Sequence, residues 1–155
     1  GHPSSDFPAQ DARLEGIVKF SSIHPNCSWL TGWTRLSDKV SWEIEVYTAG
    51  SYQAFLQVAV SETQRGTVYR LSMRGASQLP SGRHLIETSL DEVYDPPELD
   101  GMDRVPRKES YDKPFRLHFV GNLELPAGRQ SLELSCVKLP GTMAAEVRGV
   151  RLVRV

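Results

Sequence analysis

Cysteine is scarce: Cys27 and Cys136 are the only two in 155 residues. Two is too few for a disulfide scaffold, and their spacing is not a zinc pattern. Cys136 falls in Leu132-x-Leu134-x-Cys136 and reads as a small buried apolar residue, whereas Cys27 falls in a loop. A bond between the two is left open at this level. Charge of one sign is also missing. Eighteen basic and 19 acidic residues leave a net charge of −1, which excludes the basic surplus that nucleic acids or anionic membrane surfaces demand. No apolar run approaches the roughly 20 residues that span a bilayer, and no stretch carries an i, i+3, i+4, i+7 stripe over three turns. Catalytic motifs are absent as well: there is no G-x-S-x-G, P-loop, H-E-x-x-H or paired C-x-x-C. The four histidines, His2, His24, His84 and His118, are scattered along the chain. These absences predict a domain that is not an enzyme.

What is present is alternation with period two. Val40, Trp42, Ile44 and Val46 alternate with Lys39, Ser41, Glu43 and Glu45, the pattern of a half-buried strand. After Ala49-Gly50 the alternation resumes through Tyr52, Ala54, Leu56, Val58 and Val60, so the two runs read as a hairpin. Further strands are expected over 12–20, 67–73, 83–90, 115–120 (through Leu117 and Phe119), 123–125, 132–136 and 147–155. About eight strands at this spacing predict an all-β fold, a two-sheet antiparallel β-sandwich of the jelly-roll, galactose-binding-like kind. The strands around Ile17 and Val150 are expected side by side. Residues 11–155 form one domain in this reading. Residues 1–10, with Pro3, Ser4, Ser5 and Pro8, form a disordered leader or linker.

Two long irregular segments interrupt the strands, and such segments tend to carry function. The first, 21–38, holds Trp29 and Trp33. Two uses fit these indoles: stacking on the flat C–H face of a sugar, or capping the core as Trp42 does from its strand. The second, 91–114, holds Asp91, Glu92, Asp95, Glu98, Asp100 and Asp103 together with Arg104, Arg107, Lys108 and Lys113. The acids suit a glycosidase pair, a calcium ion, or plain solvation beside the neighbouring bases. Arg104 and Arg107 suit sulfate or carboxylate groups, ion pairs that fix the loop, or an interface.

Thr31-Gly32-Trp33, Asp38-Lys39-Val40-Ser41-Trp42 and Ala49-Gly50-Ser51-Tyr52, with the later Leu125-Pro126-Ala127-Gly128 hairpin, resemble family 6 and family 35 carbohydrate-binding modules. Tyr94-Asp95-Pro96-Pro97, Asp103-Arg104-Val105-Pro106-Arg107, Glu109-Ser110-Tyr111 and Leu139-Pro140-Gly141 resemble, more closely, the C-terminal β-sandwich domain associated with bacterial sulfatases. The resemblance implies a secreted, periplasmic or cell-surface bacterial module that accompanies a sulfatase or glycoside hydrolase domain. Its partner would be a glycan, sulfated or acidic, contacted by Trp29, Trp33, Arg104 and Arg107. It implies no cofactor beyond a structural calcium near Glu15 and the last strand. The chain lacks the sulfatase C/S-x-P-x-R motif, and Thr142–Glu146 lacks the asparagine that family 6 modules place on sugar. A structural domain without any ligand is the competing expectation.

Overall fold

A computed structural model describes residues 4–21, 28–74, 84–96 and 114–155. Two antiparallel sheets face each other, and the apolar side of each strand points between them. One sheet contains β2 (Arg13–Glu15), β5 (Lys39–Val46), β10 (Gly128–Lys138), β7 (Thr67–Arg74) and β8 (Leu85–Leu90), in that order. The other contains β3 (Lys19–Phe20), β4 (Leu30–Thr31), β11 (Glu146–Arg154), β6 (Gly50–Ala59) and β9 (Arg116–Leu125), with β1 (Ser4–Pro8) also paired to β11. Among the described residues the only helical pieces are two single 3-10 turns. None is long and apolar enough to cross a membrane.

The alternation accounts for the core. Val40, Trp42, Ile44 and Val46 of β5 are buried, as are Leu132, Leu134 and Cys136 of β10. From the facing sheet come Ala54, Leu56 and Val58 of β6 and Val147, Val150 and Leu152 of β11. Cys136 is a free thiol whose Sγ donates to the Lys138 carbonyl at 3.3 Å. Burial pushes its pKa up to about 11, so it packs as a small apolar group and is a poor nucleophile.

Strand partners depart from the expected hairpins. β5 and β6 lie in different sheets, so the turn at Ala49-Gly50 carries the chain across the sandwich. β9 and β10 are split in the same way around Pro126-Ala127. Alternation reports which side chains face inward, and a crossover satisfies that pattern as well as a hairpin does. Residues 12–20, expected as one strand, form β2 and β3 in opposite sheets.

Residues 4–8, expected within a disordered segment, form a strand. They run antiparallel to β11, with Phe7 opposite Val150, so the strand neighbours of Val150 are Phe7 and Leu56 and not Ile17, which is half exposed between β2 and β3. The close approach of β1 needs Gly149, where a Cβ would lie 2.7 Å from the Phe7 carbonyl oxygen. Trp42 reaches across from the other sheet and donates its indole N–H to the Pro8 carbonyl at 2.9 Å. Edge strands tolerate Ser, Asp and Pro, so composition alone does not distinguish such a strand from a tail.

Candidate functional site

The expected aromatic platform is interior. Trp33 is 1% exposed and packs edge-on against Tyr69, with ring centroids 5.3 Å apart. The Tyr69 hydroxyl donates to the Ala145 carbonyl, and the Ala144 N–H donates to the Trp33 carbonyl at 2.8 Å. Trp29 is 4% exposed, tilts against Phe115 at 5.5 Å, and donates its indole N–H to Glu146 Oε2 at 2.9 Å. Thr31 Oγ1 donates to the same oxygen at 3.1 Å. Stacking on a sugar needs an open ring face, and these two rings spend theirs on the protein. Arg104 and Arg107 lie outside the described residues, as does Cys27.

Next to Glu15, the passage after β2 is held by a buried carboxylate. Asp38, 1% exposed, accepts the N–H groups of Ile17 and Val18, each at 2.9 Å, and pairs with Arg35 at 3.2 Å. A carboxylate surrounded by N–H donors does not suit a cation. Among the described residues no cluster of three or more His, Cys, Asp and Glu side chains is placed to hold a metal ion.

One polar cavity among the described residues lies where the edge strands β8 and β9 face each other. After β8 the chain turns and Tyr94 pairs with Val60 through two backbone hydrogen bonds of 2.6 and 2.8 Å. That pairing holds Asp91 and Glu92 beside Arg116, Leu117, His118 and Phe119, around a cavity of about 350 Å³. Arg116 pairs with Glu92 at 3.3 Å and sits 5.1 Å over the Tyr94 ring. Ser89 Oγ donates to Asp91 at 2.6 Å. His118 Nε2 and Thr88 Oγ1, 2.7 Å apart, link the two sheets. Leu117 and Phe119, 42% and 49% exposed, form the rim, and Phe119 meets Phe55 of β6 edge-on at 5.5 Å.

Sequence reasoning missed this rim because Leu117, Phe119, Leu123 and Leu125 share one unbroken parity. A bulge between Phe119 and Gly121, where β9 slips against Phe55 and Ala54 of β6, reverses the facing. Leu123 and Leu125 stay buried, while Leu117 and Phe119 turn outward and His118 turns in. Gly121 in mid-strand is the only signal of it.

Burial holds the His118 imidazole below its usual range, and the Arg116 charge acts the same way; Asp91 and Glu92 oppose both. The ring is therefore neutral at pH 7, able to donate through one nitrogen and accept through the other. Because the folded pKa lies below the unfolded value near 6.5, the unfolded chain takes up the proton first on acidification. Stability from this group is complete above that value and is lost as pH falls from it through the lower folded pKa. The thermal midpoint of the parent chain is expected to drop more between about pH 7 and pH 5 than that of His118→Gln. Parallel curves for the two proteins would refute the assignment.

No protein-family model matches the chain, and none of the curated proteins does. Solved structures do. The GH26-CBM35 β-(1,4)-mannanase of Podospora anserina matches with a TM-score of 0.61 at 15% identity, over 100% of this chain and 28% of that one. This chain thus spans less than a third of that enzyme. A family 35 carbohydrate-binding module from Clostridium thermocellum matches with a TM-score of 0.63 at 10% identity, over 99% of each chain. The mosquito-larvicidal Cry4Aa toxin of Bacillus thuringiensis matches with a TM-score of 0.65 at 16% identity, over 98% of this chain and 23% of that one. The same sandwich thus serves proteins of different activity, as is common for widespread folds. What these likenesses establish is architecture: the chain has the two-sheet antiparallel fold of the carbohydrate-binding modules.

Proposed function

We propose that the chain is a carbohydrate-binding module without catalysis of its own, taking a glycan segment at the cavity between β8 and β9. One observation carries this reading: an exposed aromatic ring, Phe119, held edge-on by Phe55, borders a cavity lined by carboxylates, a guanidinium and a neutral imidazole. Sugar recognition uses that combination. The ring takes the C–H face of the pyranose, and the polar groups take its hydroxyls. The like-folded module and mannanase are consistent with it.

In this reading the module is secreted and serves a glycan-degrading enzyme, a glycoside hydrolase or a sulfatase, by holding substrate nearby and raising its local concentration. Arg104 and Arg107 are assigned to sulfate or carboxylate groups on the glycan. The competing role is docking on a catalytic domain, which the exposed Leu117 and Phe119 would also suit.

A glycan array that includes sulfated polysaccharides separates the two. Binding to one glycan class is expected, weakened about tenfold or more, roughly 1.4 kcal/mol, by Phe119→Ala and by Glu92→Gln. Both side chains are exposed, so the unfolding midpoint should stay within a few degrees of the parent. An array without signal, or binding indifferent to both changes, rejects the site.

A further inference from the structure

The sandwich has a second opening at its other end, where β5 passes into β6. We propose that this opening is a binding site for a small aromatic carboxylate, separate from the glycan cavity. Its walls are Ile44 and Val46 of β5, Leu125 of β9 and Leu152 of β11, each no more than 7% exposed, and it encloses about 180 Å³. Phe7 and Tyr52 complete the sides. The Tyr52 hydroxyl donates to the Thr48 carbonyl at 2.6 Å, which fixes that ring as a wall. Tyr47 stands at the rim, 88% exposed.

The lining decides the class of ligand. A sugar ring placed against Ile44, Val46, Leu125 and Leu152 would leave the hydroxyls that face them without partners, a cost that favours a plain ring there even though Ser5, Glu45 and Thr48 also line the opening. An unsubstituted ring has no such penalty, and apolar cavities of about 150 Å³ take up benzene. This opening therefore admits one six-membered carbocycle with a short substituent. The charge at the mouth selects the substituent. Arg154 lies there, exposed and without an ion pair among the described residues, and its fork suits a carboxylate. The mouth's own carboxylate, Glu45, faces Arg129 at 3.9 Å, so the ligand's anionic group belongs on the Arg154 side.

The test is a titration of the whole chain with benzoate and with benzyl alcohol, a neutral ring of similar size, followed by methyl NMR. Benzoate is expected to shift the Ile44, Val46, Leu125 and Leu152 methyls, saturating by about 10 mM, a reasonable affinity for so few atoms. Arg154→Gln, an exposed change that leaves the core untouched, is expected to weaken benzoate about tenfold and to leave benzyl alcohol unchanged. Silent methyls at 10 mM overturn the site. Equal benzoate binding by Arg154→Gln, or benzyl alcohol bound as tightly as benzoate, overturns the carboxylate assignment. Methyl shifts that appear with protein concentration alone would assign the opening to a second copy of the chain and overturn it too. None of these results depends on the glycan cavity.

Discussion

Trp33→Ala is expected to cost the domain about 3–5 kcal/mol, the usual range for emptying a buried aromatic site. The ring is among the largest fully buried side chains. Tyr69 is pinned by its hydrogen bond to Ala145, and the Trp33 and Ala144 backbones are joined to each other. Those ties prevent the collapse that would soften the loss. In a chain of this size the thermal midpoint should fall by roughly 10 °C. Trp33→Phe should cost much less. It keeps most of the ring and removes an indole N–H that is buried without a hydrogen-bond partner among the described residues. A denaturant titration of both variants checks this. An alanine variant as stable as the parent would mean that the indole is not interior, and would return it to the list of sugar contacts.

Asp38→Ala is expected to cost about 3 kcal/mol. Hydrogen bonds to a charged acceptor contribute about 1.5–3 kcal/mol each, and a buried donor left alone costs about 1–3 kcal/mol. Asp38 accepts two such bonds, from Ile17 and Val18, and Val18 is itself buried. Solvent reaching the half-exposed Ile17 will recover part of the loss. The link joins the passage between β2 and β3 to the start of β5, and so holds both sheets at one end. Gly16 belongs to the same device. Its φ is +109°, and a Cβ there would lie 2.0 Å from the Asp38 carboxylate. Gly16→Ala should therefore match or exceed the loss from Asp38→Ala. Stability near that of the parent in both variants, measured by urea unfolding, would show that the carboxylate is dispensable.

Strand positions were legible because burying one face imposes a period of two. β5, β6, β7, β10 and β11 fall where alternating Val, Leu, Ile and Trp put them. Partners were not legible, since a strand's pattern records the direction of the core and not the identity of its neighbour. The first strand was hidden because an edge position buries little, and Phe7 is its one large apolar residue. The candidate site was hidden for two further reasons. A single extra residue near Gly121 reversed the faces of β9, so Phe119 read as core. The indoles of Trp29 and Trp33 looked available because loop position suggests exposure, whereas each packs back onto the sandwich. Asp91 and Glu92 were singled out from the sequence as candidates and lie beside the cavity, as does His118, which was read as an isolated histidine.

The ladder between Ser4–Pro8 and Glu146–Arg154 has a consequence for how the chain acquires its structure. Among the described strands, the one at the heart of one sheet comes last in chain order, and one of its neighbours comes first. Most ladders join segments distant along the chain, so loops must close before any pairing stabilises them, and that ordering slows folding. A nascent chain still missing β11 has β6 and β9 but no central partner for β1 or β4. Unpaired strands of that kind invite association with other chains. Folding yield should therefore depend on how long the growing chain waits for the nine residues of β11.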